Sequence, residues 1–183
     1  MSAKTEATIE DLYRVPENGK AEIINGEVVL MSPTGQKPSR ASFKICLRLY
    51  EYERQSGRGI AVADNAAFKV DLPNRKSFSP DAAFYVGQHP GMKFFNSAPL
   101  FAVEVRSEND YGSAAEREIK EKILDYFAAG TRVVWDVDLL SEDVIRAYQP
   151  DSPDQPRIYR RGETADAEPA LPGWTMAVDD LFE

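Results

Sequence analysis

The sequence has one cysteine, one histidine and no long run of apolar residues. Because the single cysteine, Cys46, cannot form an internal disulfide, we expect the protein to be in a reducing compartment, the cytoplasm. No segment approaches the roughly 20 apolar residues that span a bilayer, so we expect no membrane partner. A lone histidine, His89, excludes a zinc site built from several imidazoles or from a Cys/His cluster. Any metal must therefore be held by oxygen, which favours magnesium, manganese or calcium.

The sequence also has no excess of basic residues. Thirty acidic residues against 22 basic ones give a formal net charge of −8, so the protein on average repels phosphate backbones. A nucleic-acid partner then requires clustered basic residues or an intervening cation. The length of 183 residues predicts a single domain covering residues 1–183. Residues 1–9 show no basic start followed by an apolar core, so nothing predicts export.

Hydrophobic patterning predicts an α/β (α+β) fold, with hairpins at both ends of the chain. Asn25-Gly26 between two β-prone runs predicts an N-terminal hairpin, and residues 144–148 and 157–161 predict a C-terminal one. Between them, a strand over 100–106, a helix over about 113–128 and a strand over 131–137 predict a parallel βαβ unit. A long helix over about 40–54 is predicted to bury Phe43, Cys46, Leu47 and Tyr50, with Ile45 and Leu49 widening that face.

Two acids stand in or beside apolar, β-prone segments, where a charge is costly unless something binds it. Asp81 precedes Phe84, and Glu104 lies between Val103 and Val105. A strand, a loop and a strand separate them, so adjacent pairing would bring both to one spot. Two carboxylates, completed by waters and substrate phosphate, are the usual arrangement for magnesium. Taken alone, either acid could instead be a structural partner of an arginine.

A third member of such a site would be a lysine that orients water or stabilises charge. Both Lys120 and Lys122 border the buried face of the second long helix, and the helical wheel cannot separate them. Lys122 could equally be a surface lysine paired with Glu118. Arg106, two residues after Glu104, can stabilise charge, but it is essentially never deprotonated and so cannot act as a base.

Arg40, Lys44 and Arg48 recur every four residues on the first long helix. This stripe could be a solvated face paired with acids such as Glu51, which the acidic composition favours. It could alternatively be a nucleic-acid-binding surface for phosphates. Both interpretations remain open from the sequence.

Several segments together resemble a family of small bacterial proteins described as putative restriction endonucleases, formerly a domain of unknown function. More broadly, Pro80-Asp81 followed by Glu104 resembles the PD-(D/E)XK nuclease superfamily. The family resemblance runs in order over almost the whole chain, through residues 21–27, 31–33, 79–81, 103–107, 122–126, 130–136 and 171–174.

The resemblance implies a restriction-endonuclease-like core, a central mixed β-sheet flanked by helices, with a Mg²⁺ (or Mn²⁺) site. It implies that Asp81 and Glu104 hold the metal, and that the catalytic lysine is Lys122, on the helix after the second acid. Glu22 matches an additional catalytic acid, although by itself it could be a solvated strand residue.

The leading hypothesis is a metal-dependent endonuclease that hydrolyses DNA phosphodiester bonds by a metal-activated water. A homodimer fits this activity by analogy, because two sites cut two strands most easily. The alternatives are a catalytically silent interaction protein with the nuclease fold and a phosphoesterase for small nucleotides.

Overall fold

The structure is a computed structural model, and it describes residues 6–182. Its helices are α1 (Ile9–Tyr13), α2 (Gln36–Ser56) and α3 (Ser113–Ala128). The first six strands are β1 (Ala21–Ile24), β2 (Glu27–Leu30), β3 (Ile60–Ala63), β4 (Phe68–Lys69), β5 (Ser77–Phe78) and β6 (Ala82–Tyr85). The others are β7 (Phe101–Val105), β8 (Val133–Val137), β9 (Ile145–Tyr148), β10 (Arg157–Tyr159), β11 (Thr164–Asp166) and β12 (Thr175–Ala177).

Six of these strands form the central sheet, in the order β10-β9-β8-β7-β6-β3. The β7–β8 pair is parallel and its neighbours are antiparallel. The crossover between β7 and β8 runs through α3, as a parallel connection requires. The predicted mixed sheet flanked by helices is therefore confirmed.

Side-chain alternation along the strands divides the core into two layers. Val103 and Trp135 face α2 and the C-terminal segment, whereas Ala102 and Val134 face α3. The α3 side is closed by Ile123 and Tyr126 of the helix and by Phe68 and Phe78 of the β4–β5 pair. Any polar residue on the α3 face must therefore find partners within this apolar layer.

Both predicted hairpins are present. β1 pairs with β2 around Asn25 and Gly26, whose φ angles of 50° and 75° are those of a type I′ turn. β9 pairs with β10 around the proline-rich turn. Among residues 6–182, no helix is long and apolar enough to cross a membrane.

The predicted buried face of the first long helix is confirmed for Ile45 and Leu49 and wrong for Phe43, Leu47 and Tyr50. α2 begins at Gln36 and buries Ala41, Ser42, Ile45 and Leu49, whereas Phe43, Leu47 and Tyr50 are 56%, 46% and 48% exposed. Apolar residues occur around most of this helix, so their spacing fits more than one face. The Ser42 hydroxyl donates to the carbonyl of Asp81, just before β6, so the face that carries Ala41 and Ser42 is the one turned toward the sheet.

Candidate active site

Asp81 and Glu104 are neighbours across the β6–β7 pair. Ala82 is paired with Val103, so extending this antiparallel register by one residue places Asp81 beside Glu104. The N–H of Asp81 donates to the Val103 carbonyl at 2.9 Å, which continues the ladder. Because side chains alternate, both carboxylates lie on the same face as Ala102, the face covered by α3.

Two further acids extend this pair into a row across the sheet. The β3–β6 register, in which Ala63 pairs with Ala82, places Asp64 beside Asp81 on the other side. Asp136 on β8 lies directly opposite Glu104. We call these four residues the carboxylate row: Asp64, Asp81, Glu104 and Asp136.

Both carboxylate oxygens of Asp81 accept hydrogen bonds. Oδ1 accepts from the Lys20 amine at 2.6 Å, and Oδ2 accepts from the N–H of Val105 at 2.7 Å. The same Lys20 amine lies 2.7 Å from Oδ1 of Asp64. On the backbone side, the Ser42 hydroxyl of α2 donates to the Asp81 carbonyl at 2.6 Å. Asp81 is thus fixed in place, with one oxygen held by a lysine.

Glu104 receives its partners from α3. Its Oε1 lies 2.9 Å from the Lys122 amine and accepts from the Tyr126 hydroxyl at 2.6 Å. Burial raises the pKa of Glu104; the Lys122 ammonium opposes this rise, while the negative charges of Asp81 and Glu22 add to it. The charge on Glu104 is therefore one that additional positive charge nearby would stabilise.

Glu22 is fully buried and has partners on both carboxylate oxygens. Oε1 accepts from the N–H of Ser79 at 2.8 Å and lies 3.0 Å from the Lys122 amine, while Oε2 accepts from the Arg75 guanidinium. Although burial alone would raise the pKa of Glu22, Lys122 and Arg75 hold it below its usual range. Glu22 therefore stays ionised and fixes the position of the lysine.

The structure separates the two lysines that the helical wheel could not. The Lys122 side chain is 17% exposed and bridges Glu22 and Glu104, so it is not the surface partner of Glu118. Lys120 is 62% exposed and pairs with Asp154. Burial alone would lower the pKa of Lys122, but Glu104 and Glu22 raise it, so the amine keeps its proton. In this state Lys122 can orient a water or stabilise an anion, and it cannot accept a proton.

Asp136 is held differently from the other members of the row. Arg106 donates two hydrogen bonds to it, from Nε at 2.8 Å and from Nη2 at 2.7 Å, and also bonds Glu116. Arg146, opposite on β9, lies 3.7 Å from the same carboxylate. Asp136 and Arg106 have side chains only 1% and 4% exposed. The bidentate arginine occupies both oxygens, so Asp136 is a structural acid.

The donor chemistry fits a hard divalent cation. Among residues 6–182, no group of three or more His, Cys, Asp or Glu side chains gathers to hold a metal ion; two carboxylates plus water and substrate oxygens suit magnesium. The ion pairs of the site join five acids to three basic side chains, an excess of two negative charges that one divalent cation would balance. The acids are Glu22, Asp64, Asp81, Glu104 and Asp125, and the basic residues are Lys20, Arg75 and Lys122.

The three predicted nucleic-acid contacts belong to a different surface. Arg40 and Arg48 are exposed on α2, where Arg40 lies 5.9 Å from the Phe43 ring centroid and Arg48 pairs with Glu51 at 2.7 Å. Lys44 lies between them on the same helix. The structure thus brings together four predicted site residues, Glu22, Asp81, Glu104 and Lys122. The basic stripe lies outside this cluster, beside the buried face of α2.

Sequence reasoning missed four charged members of the cluster: Lys20, Asp64, Arg75 and Asp125. Lys20 stands two residues before Glu22, so strand alternation could have placed both on one side of the N-terminal hairpin. Asp64 could be found only from the β3–β6 register, which nothing local in the sequence fixes. Tyr126 lies four residues after Lys122, which puts both on one helix face.

The fold is that expected for the PD-(D/E)XK nuclease class. The profile of the Uma2 family, described as "Putative restriction endonuclease", matches residues 8–179, and the chain belongs to that family. A search of curated proteins gave no match.

The same fold is seen in a solved structure from Anabaena variabilis. It is the crystal structure of a putative nuclease belonging to DUF820, with a TM-score of 0.75 and 16% sequence identity. The likeness covers 96% of this chain and 97% of that one. This likeness shows the fold, and the family is the one described as putative restriction endonucleases.

Proposed function

We propose that the chain is a metal-dependent endonuclease that hydrolyses phosphodiester bonds in DNA. The observation that carries the proposal is the convergence of Asp81, Glu104 and Lys122 on one face of the sheet. Magnesium or manganese, bound by the two acids, would lower the pKa of a water and stabilise charge on a phosphodiester oxygen. Membership of the Uma2 family supports the same reaction.

The chain's own residues would divide the remaining work. Lys122, charged and turned toward Glu104, would hold the attacking water in line or stabilise the negative charge of the reacting phosphate. Glu22 would be a positioning residue, because its oxygens are already taken by Arg75, Ser79 and Lys122. Tyr126 would keep Glu104 oriented through its hydroxyl.

DNA would lie against the start of α2, because the Ser42 hydroxyl donates to the Asp81 carbonyl and so brings this end of the helix beside the site. Residues 36–56 contain five basic and two acidic side chains, a local excess of positive charge in a chain of net charge −8. Arg40, Lys44 and Arg48 would contact phosphates, since basic side chains supply most of the affinity for a nucleic-acid backbone. The exposed Phe43, Leu47 and Tyr50 lie among them and would cover sugar and base surfaces.

The test is cleavage of supercoiled plasmid with Mg²⁺ or Mn²⁺, and with chelator as a blank. The wild-type protein should nick or linearise the plasmid, whereas Asp81→Ala and Glu104→Ala should give only the blank level. Lys120→Met is a matched control, because this exposed lysine should leave cleavage unchanged.

Other outcomes would identify the alternatives. Unchanged cleavage in Asp81→Ala and Glu104→Ala would contradict the proposal. Turnover of small nucleotides without plasmid cleavage would indicate a phosphoesterase. Lack of any metal-dependent turnover on either substrate would indicate an interaction protein.

A further inference from the structure

Lys20 occupies the position beside Asp81 that a metal would need. Its amine lies 2.6 Å from Oδ1 of Asp81 and 2.7 Å from Oδ1 of Asp64, so one ammonium bridges two members of the carboxylate row. The side chain is only 16% exposed. The bridge is therefore part-buried, with its Asp64 end more open to solvent.

The other oxygen of Asp81 is less available. Oδ2 accepts from the N–H of Val105, a residue of the central strand β7 whose backbone is fixed in the sheet. A cation at Oδ2 must leave the Val105 amide its acceptor, because a buried amide without a partner is unfavourable, so only the second lone pair of Oδ2 is open. The ammonium on Oδ1 is the partner that can move aside, so a cation that binds Asp81 competes with Lys20.

Lys20 can yield because it has a second acceptor. Its side chain is flexible, and its ammonium is a point charge without the fixed fork of an arginine. The Asp64 side chain is 41% exposed, at the rim of the site, so the amine can keep this partner while it leaves Asp81. Asp136 offers the opposite case, because its guanidinium partner is bidentate and buried.

We infer that Lys20 is a positioning residue that competes with the divalent cation for Asp81 and moves onto Asp64 when the cation binds. This inference rests on the proposed role of Asp81 and Glu104 as metal ligands. The metal affinity is then lower than that of the same two carboxylates without Lys20, because the cation must displace the Lys20 ammonium from Asp81.

The test is calorimetric titration with Mn²⁺, measured without nucleic acid so that activity plays no part. Lys20→Met should bind Mn²⁺ more tightly than wild type, by about tenfold, within the usual range for coupled sites. Lys20→Gln provides a second variant should the first fold poorly, and circular dichroism checks both. Lys120→Met removes an exposed lysine and should leave the affinity unchanged.

Asp64→Asn makes the test specific for the exchange. In the wild-type background it removes the negative charge of the second acceptor, so the displaced ammonium has no carboxylate to pair with and Mn²⁺ should bind more weakly. In the Lys20→Met background the same change should have a much smaller effect. Equal effects in both backgrounds would show only a general loss of negative charge and would overturn the exchange.

The outcomes separate this inference from the proposed function. Wild-type binding that is lost in Asp81→Asn, together with unchanged or weaker binding in Lys20→Met, would overturn the role of Lys20 and leave the metal site standing. Binding by Lys20→Met but not by wild type would support strong competition. No binding by wild type, Lys20→Met or Lys20→Gln would overturn both.

Discussion

The carboxylate row divides into a lysine-held half, Asp64, Asp81 and Glu104, and an arginine-held half, Asp136. Both halves lie on one face of the sheet, but different basic side chains hold them. Asp81 and Glu104 are held by the lysines Lys20 and Lys122, each at one oxygen. Asp136, the next acid in the row, is held by Arg106 at both oxygens. A lysine ammonium can exchange partners, whereas a bidentate guanidinium fixes both geometry and charge. The kind of basic side chain therefore separates the acids proposed to bind a metal from the acid that the buried arginine holds.

The largest expected effect is a loss of stability when the arginine-held acid is changed. Asp136→Asn leaves the buried Arg106 charge with the exposed Glu116 as its remaining hydrogen-bonded carboxylate. Removing one partner of a buried ion pair typically costs 3–5 kcal/mol, and the retained partner favours the lower end, about 3 kcal/mol. Urea unfolding should show this loss. The comparison variant is Asp81→Asn, in which Lys20 keeps Asp64 as a partner, so the loss of stability should be smaller than for Asp136→Asn.

The second prediction concerns catalysis in the lysine-held half. Lys122→Met should lower the cleavage rate by about a hundredfold, the typical cost of losing a charge-stabilising group at a reacting centre. Lys120→Met, two residues earlier on the same helix, should cleave at the wild-type rate. Rates are compared in samples with matched far-ultraviolet spectra. If both variants cleave normally, Lys122 has no part in the chemistry.

The smallest expected effect lies outside the row, on α2. Charge reversal by Arg40→Glu and Lys44→Glu together should weaken DNA binding and reduce its salt dependence, because each lost phosphate contact removes about 0.9 from the logarithmic slope. Binding is measured by fluorescence anisotropy over a range of salt concentrations with a catalytically blocked variant. An unchanged slope would show that DNA contacts another surface.

The sequence predicted those parts of the site that depend on neighbouring strands. Asp81 and Glu104 meet because a strand, a loop and a strand pair locally, and the Asn25-Gly26 turn fixes the hairpin that carries Glu22. Lys120 and Lys122 could not be separated from residues alone, because the rotation of α3 depends on how Ile123 and Tyr126 pack on the sheet.

Other features depend on tertiary packing that no local pattern encodes. The exposed Phe43, Leu47 and Tyr50 were predicted to be buried, since an apolar residue on a mixed helix does not say which face meets the sheet. Asp64 joins the row only through the β3–β6 register. Arg106 and Asp136 are 30 residues apart in the sequence, and only the pairing of β7 with β8 brings them together.

Calorimetric titration of four proteins with Mn²⁺ tests most directly whether the two halves of the row differ in this way. The wild-type protein and Asp136→Asn, the latter shown to be folded by circular dichroism, should bind the ion with similar affinity. Asp81→Asn and Glu104→Gln should lose binding. Retained binding in either of the last two variants, or its loss in folded Asp136→Asn, would contradict the assignment of the lysine-held acids as the metal site.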